Sequence, residues 1–464
     1  MKMKRFYTFL GILLINVFAV TNLFAQEDEN CKLNLSLEHD LIVSKKYDEA
    51  LQYWEKLYKE CPKYSEAIYS DGTKIFKLKY KEAKKAKDKA KQEEYLNKMF
   101  ELYDKWVAYF PNSKNLAKVY HDKGLLMLDS KKGTAQERYE LFTKAYSLDK
   151  TKFTNPKAIY GYFVAAVNIY KDKKISFEKL IDHYNELSTS IEKLTEKYTM
   201  QMEELQKKEE AGELIDKEKK KLRAIRKNLP VYSIVAKNMD KILGELGDCH
   251  HLVPLYTKTF DENKDNASWL RKAAKNLSKK DCSDDPIFEK LVVRLDQLEP
   301  SYNSAYYLGI LNEKKGKINQ AITYYKKAIN LADKAYDKAK IYYKLARLSE
   351  KRGQKSQART YAYKALEFKP SMGSAYLLIA RLYAKSANQC GDNEFDKLAT
   401  YWLAASMADK AAKVDPASAK RARKIASNYR AKAPSKTDVF MKGMAGKKIQ
   451  MKCWIGGTVT VPNN

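Results

Sequence analysis

A repeat of 37 residues between positions 304 and 370 constrains the fold of this chain more than any other feature of its sequence. Four residues of the first unit recur in the second: Gly316, Ala321, Tyr324 and Ala328 correspond to Gly353, Ala358, Tyr361 and Ala365. A third unit begins at "AYLLIARLY", where Ala380 follows Ala346 by 34 residues. Repetition at such a period indicates structural units that stack on their neighbours and bury a continuous core.

The recurring residues resemble the tetratricopeptide repeat (TPR), a helical hairpin of about 34 residues. The second unit carries the pattern most fully, and the third carries its first half. The matching residues are Tyr342, Leu345, Ala346, Ala358, Ala365 and Pro370, followed by Tyr376, Ile379, Ala380 and Tyr383. In this pattern small residues let antiparallel helices approach, and aromatic rings fill the space between hairpins. The resemblance implies an all-α, TPR-type helical-hairpin solenoid.

The remaining sequence suggests how such a solenoid is interrupted and extended. A weaker TPR-like unit lies in "KKYDEALQYWEKLYKECPKY", and the spacing is lost between Ser176 and Leu246. The predicted organisation is a signal peptide at 1–25, TPR-like repeats at 26–170, a charged helical hairpin insertion at 171–248, a C-terminal TPR array at 249–434 and a β-hairpin cap at 435–464.

The insertion has the apolar spacing of a long helix. Apolar residues at steps of three and four share one helix face: Ile191, Leu194, Tyr198, Met202 and Leu205. A strongly charged stretch follows, with a plausible break at Gly212. We expect a helical hairpin that projects from the solenoid. A charged pair of this kind is more often a spacer or packs along its own array, and a partner-binding arm is the alternative.

The chain ends in a segment typical of strands. In "KCWIGGTVTV", β-branched residues flank Gly456 and Gly457, which predicts a strand, a tight turn and a second strand. The "CWI" end resembles the ends of other exported bacterial TPR proteins. We interpret it as a lid on the exposed end of the array, since the last unit of a solenoid needs a cap. The alternative is an edge strand offered to a partner.

The N-terminus predicts export. A positively charged start precedes an apolar run from Phe6 to Val20, and "NLFAQ" offers cleavage after Ala25. This order is typical of a secretory signal peptide. No later stretch approaches the roughly 20 apolar residues of a membrane-spanning helix. We therefore expect an exported, periplasmic protein, with outer-membrane association as a further expectation.

Six cysteines in an exported chain suggest disulfides, with 15 possible connectivities. Cys31 and Cys61 are expected at the same end of one antiparallel helix pair, and so are Cys249 and Cys282. Elimination leaves Cys390 with Cys453, and the alternative is that some thiols stay free. The run "CHH" at 249–251 suggests the hypothesis of a zinc site, because Cys and His are zinc ligands. Adjacent residues of a helix point in different directions, however, and no second cluster of His or Cys completes four ligands.

The strong positive charge of the chain has two interpretations, a solvated surface and an anionic partner. The formal net charge is +30, yet only 13 of the 88 basic residues are arginine, and the lysines are spread along the whole chain. A solvated lysine surface explains this distribution. The alternative is a cationic protein that binds an anionic envelope polymer or nucleic acid.

No catalytic motif, phosphate-binding glycine loop or cofactor signature is found, so neither an enzyme nor a cofactor is predicted. The TPR resemblance instead implies a groove, lined by the first helix of each hairpin, that holds an acidic or extended protein segment. Its groove-facing offsets select Tyr306, Lys314, Tyr343, Arg347, Lys351, Arg381 and Lys385. The predicted function is an envelope scaffold for protein–protein interaction, with outer-membrane assembly or secretion as candidate processes. A small-molecule substrate is not expected, and nucleic acid is the less favoured partner.

Overall fold

The computed structural model describes residues 29–463, and these divide after Ser176 into two compact units. The predicted signal peptide at 1–25 lies outside the described residues. Within residues 29–463, every helix is too short or too polar to span a membrane.

The first unit consists of seven helices in the part of the chain that is described. They are α1 (29–43), α2 (Tyr47–Glu60), α3 (Ala67–Lys85), α4 (Lys89–Tyr109), α5 (Leu116–Ser130), α6 (Ala135–Leu148) and α7 (Pro156–Lys171). Consecutive helices pack on each other as hairpins. Trp54 of α2 is buried, and its indole N–H donates to the Ile68 carbonyl across 2.7 Å. A Cβ on Gly72 would come within 2.5 Å of this indole, so the close approach requires glycine.

The second unit begins with two long helices, α8 (Phe177–Ala211) and α9 (Asp216–Leu246). The array follows with α10 (Cys249–Asn263), α11 (Ala267–Lys279), α12 (Pro286–Leu298), α13 (Tyr302–Lys314), α14 (Ile318–Leu331), α15 (Ala335–Lys351), α16 (Lys355–Phe368), α17 (Gly373–Ala384), a 3-10 turn (Ala387–Gln389), α18 (Glu394–Val414), α19 (Ala419–Arg430) and α20 (Lys436–Met441). Strands β1 (Lys448–Gln450) and β2 (Thr458–Thr460) close the described chain.

The 37-residue repeat forms the hairpins α13–α14 and α15–α16, and the third unit forms α17–α18. The predicted TPR-type solenoid is therefore confirmed. Gly316 and Gly353 recur because each turn needs a left-handed backbone, with φ of 73° and 74°. Between the helices, a Cβ on Gly309 would come within 2.5 Å of the Tyr325 ring. The recurring spacing of the repeat therefore marks the turns between helices and the positions where two helices are in close contact.

The long hairpin has its own small core. Met202 and Leu205 of α8 pack with Leu222, Ile225 and Leu229 of α9. The prediction that the hairpin projects from the solenoid is wrong, because acidic side chains of α8 form ion pairs with lysines of the array. The alternative, a hairpin that packs along its own array, describes the structure.

Three disulfides join the six cysteines in the predicted pairs, two of which followed from helix geometry and the third from elimination. Cys31 pairs with Cys61, Cys249 with Cys282 and Cys390 with Cys453, at Cα–Cα distances of 5.9, 5.7 and 4.8 Å. Such cross-links indicate an oxidising compartment outside the cytosol.

The two C-terminal strands form an antiparallel hairpin in which Ile449 pairs with Val459. Both side chains are buried, and the neighbouring strand residues are exposed. Trp454 lies in the turn segment, where its indole N–H donates to Ser386 Oγ across 3.0 Å. The guanidinium of Arg359 stacks over the Trp454 ring at 5.1 Å. The hairpin therefore packs against α16, the segment around the 3-10 turn and, through β2, α18.

Candidate partner-binding surface

The seven predicted groove residues lie on, or directly after, the first helices of three successive hairpins. Tyr306 and Lys314 belong to α13, Tyr343, Arg347 and Lys351 to α15, and Arg381 to α17, while Lys385 is the residue that follows α17. Because helix α15 continues the hairpin stack between α13 and α17, these residues occupy corresponding positions along one side of the array. We call them the groove set.

Arg381 is held by a carboxylate that the sequence prediction did not include. Its Nε and Nη2 each donate to one oxygen of Glu350 across 2.7 Å. A fork of two parallel hydrogen bonds is the strongest arrangement for this pair. Hydrogen bonding from Arg381, together with the charges of Lys385 and Arg347, lowers the pKa of Glu350. Three cations therefore surround one ionised carboxylate.

The same arrangement occurs one hairpin earlier. Lys344 Nζ lies 3.1 Å from Glu313 Oε2, and the pair is displaced by 37 residues from Arg381 and Glu350. Each first helix thus presents a carboxylate to a cation on the next first helix. The repeat carried part of this signal, because Glu313 recurs as Glu350 at the shift of 37 residues that relates the first two units. The cations do not occupy equivalent positions, since the third unit follows the second at 34 residues, and the TPR offsets do not include the acidic positions.

Two further members of the groove set also have partners within the chain. Lys314 Nζ lies 2.6 Å from Asp281 Oδ1. The Tyr306 ring is 5.9 Å from that of Tyr325, and burial raises the pKa of Tyr306 to about 12. These contacts give Tyr306, Lys314 and Arg381 a structural role.

Arg347, Lys351 and Lys385 keep their charges accessible. Arg347 Nε is 3.8 Å from Glu350 and the side chain is 49% exposed, while Lys351 Nζ is 3.9 Å from Glu313 and the side chain is 66% exposed. These separations exceed hydrogen-bond distance, so the donors remain available. Lys385 is exposed at the end of α17. With half-buried Tyr343 on α15, these three cations form the accessible part of the groove set.

In the structure, two residues of the "CHH" run are engaged in a disulfide and in a side-chain contact with an aspartate. Cys249 is in a disulfide, and His251 Nδ1 lies 2.8 Å from Asp248 Oδ1 at the N-terminus of α10. Throughout residues 29–463, the His, Cys, Asp and Glu side chains form no cluster of three or more suited to a metal ion.

Comparison with solved structures finds distant helical proteins. Yeast Tom70 is 13% identical, with 90% of this chain and 99% of that chain covered and a TM-score of 0.30. A monomeric mutant of IFIT1 with Gppp-AAAA is 12% identical, with 87% and 89% covered and a TM-score of 0.29. No protein-family model matches the chain, and no curated protein matches it.

Proposed function

We propose that this protein is an exported, non-enzymatic TPR-type scaffold that binds an acidic, extended segment of an envelope protein. The observation that carries the proposal is the surplus of positive charge around Glu350, where Arg347 and Lys385 accompany the Arg381 pair. A partner carboxylate placed there meets cations whose hydrogen-bond donors are not fully used. Tyr343 adds a flat surface beside them on α15.

The compartment is part of the same proposal. The three disulfides support an oxidising location, and the predicted signal peptide supports export. We propose a periplasmic protein that associates with the outer membrane and acts in outer-membrane assembly or secretion. A scaffold built from repeated hairpins suits this role, because its extended surface holds a partner without catalysis.

The test is capture of partners from cross-linked cell envelopes, followed by mass spectrometry. We expect Arg347→Glu combined with Lys351→Glu to abolish capture, because both changes put a negative charge where the partner carboxylate binds. Arg381 is left intact, since its replacement would also break the pair with Glu350. The matched control is Lys326→Glu with Lys410→Glu, two exposed lysines on the second helices α14 and α18. Equal capture by both variants would contradict the proposal.

A second candidate function rests on helix α19. Residues 419–436 contain seven basic and no acidic residues. Lys420, Arg421, Arg423 and Lys424 are all exposed. This patch favours the alternative of a cationic binder of anionic polymer or nucleic acid. Such binding would fall linearly on a logarithmic salt scale and show no preference for a partner sequence.

A further inference from the structure

Helix α8 presents a stripe of four glutamates to the array of the second unit. The residues are spaced by four, seven and seven positions, which places them along one side of the helix. Each accepts from a different donor. The pairs are Glu192 with Lys275 Nζ at 2.7 Å, Glu196 with Lys334 Nζ at 3.2 Å, Glu203 with the Ser371 N–H at 3.1 Å and Glu210 with Lys413 Nζ at 3.1 Å.

The donors follow the array from hairpin to hairpin. Lys275 lies on α11, Lys334 immediately before α15, Ser371 in the turn before α17 and Lys413 in the last turn of α18. We call these four donors the strip. They lie on α11, at the starts of first helices and at the end of a second helix, whereas the accessible groove cations lie toward the ends of α15 and α17. The strip is therefore a surface separate from the groove set.

A cavity and an exposed ion pair weaken the attachment of the distal half of the hairpin, residues 192–229, to the strip. A cavity of about 280 Å³ separates α8 from the turn before α17, and its lining includes Thr199 and Ser371. The Ser371 hydroxyl is buried there without a hydrogen-bond partner in the described chain. At the tip, Glu210 and Lys413 are 66% and 74% exposed. Exposed ion pairs of this kind contribute little to stability, and salt screens them.

The distal half of the hairpin has an apolar core of its own. In it Met202 of α8 packs with Ile225 of α9 between the two helices, so this core does not depend on the strip. Pro230 lies inside α9 next to this core, and its missing N–H interrupts the helical hydrogen bonding there. The base of the hairpin is held separately on the array, because Lys280, which follows α11, donates through Nζ to the Asp240 carbonyl of α9 across 2.7 Å.

We propose that the strip is a docking surface for an acidic helix of a partner protein, and that α8 occupies it as an intramolecular substitute. The partner helix carries carboxylates four and seven residues apart, in the pattern of Glu192, Glu196, Glu203 and Glu210. Charge complementarity supports this occupant, because lysines and a helix-start N–H group both favour carboxylates. Binding of the partner requires release of the distal half of the hairpin.

The test uses the full chain with Glu196→Lys, Glu203→Lys and Glu210→Lys. Spin labels at Lys207→Cys and Ser406→Cys report the distance between α8 and α18. A labelled, helix-stapled peptide with the sequence from Glu192 to Glu210 is the probe for the strip. We expect the distance to lengthen and the peptide to bind the variant at least about tenfold more tightly than it binds the unaltered chain. Adding Lys334→Gln and Lys413→Gln should greatly weaken that binding, because the strip then loses two cations and no reversed ion pair holds the hairpin.

The matched control reverses three exposed acids away from the strip, Glu213→Lys, Asp216→Lys and Glu245→Lys, and should leave distance and binding unchanged. An unchanged distance in the stripe variant would show that the ion pairs do not hold the hairpin. A released hairpin without peptide binding would show that the strip is not a docking surface. Either result overturns the proposal. Arg347→Glu with Lys351→Glu should not affect the peptide, which separates this test from that of the groove.

Discussion

At the scale of single residues, Glu313 and Glu350 organise the groove face. The TPR offsets correctly place Arg381 on a first helix, but its bidentate bond to Glu350 could not be predicted, because it depends on how α15 and α17 cross. The recurrence of Glu313 as Glu350 was present in the sequence as a clue. The basic residues on this face therefore form two groups. Some make ion pairs that join neighbouring hairpins, and others keep exposed charges that can contact a partner.

A second residue-scale feature is a buried acid in the first unit. Glu38 of α1 is fully buried, beside Asp71 of α3, which is 1% exposed. Burial, followed by the charge of Asp71, raises the pKa of Glu38 to about 8. Lys74 Nζ lies 2.5 Å from Asp71, and His39 Nδ1 lies 3.2 Å from it. Glu38 is therefore protonated and neutral at pH 7, whereas Lys74 and His39 lie beside Asp71.

We predict that this acid makes the first unit less stable as pH rises. In the unfolded chain Glu38 ionises near the ordinary glutamate pKa of 4.5, and in the folded chain only near 8. Its stabilising contribution is complete below pH 4.5 and is lost progressively up to about pH 8, by on the order of a few kcal/mol. The free energy of unfolding, measured in urea, should fall less between about pH 5 and 9 for Glu38→Gln than for the unaltered chain. An equal loss in both proteins would contradict this assignment.

At the scale of elements, the turns and helix contacts followed from the sequence, while the seating of the long hairpin did not. Apolar spacing predicted α8, and its predicted face packs on α9 through Met202 and Leu205. The acidic stripe, however, meets donors 83 to 203 residues away in the chain. Local periodicity contains no information about such distant partners. The helix was therefore predictable, but its position along the array was not.

The C-terminal hairpin gives an element-scale prediction. Two strands of three residues are marginal alone, and we propose that the Cys390–Cys453 bond holds them on the array as a cap. Replacing both cysteines by serine should lower the free energy of unfolding, measured in urea, by about 2–5 kcal/mol. Reducing agent should then lower the melting temperature less than in the unaltered chain. An equal loss in both would show that this bond does not stabilise the cap.

At the scale of the whole molecule, the high positive charge does not define one site. Many lysines form ion pairs between neighbouring helices, as Lys344 does with Glu313, and others lie on exposed faces. The charge on which the proposed scaffold function depends is confined to the accessible groove cations. The sequence could predict the repeat, the disulfide pairs and the helices on which the groove set lies. It could not separate the available cations from the paired ones, because that distinction is made by tertiary contacts.

The most direct test of the central claim is site-specific photo-cross-linking in intact envelopes. A photoreactive amino acid is placed at Tyr343 on the groove side of α15, or at Lys326 on α14 as the control. We predict a cross-linked partner from Tyr343 and none from Lys326, because the partner lies against the first helices. Equal cross-linking at the two positions, or cross-linking at Lys326 alone, would contradict a partner bound at the groove.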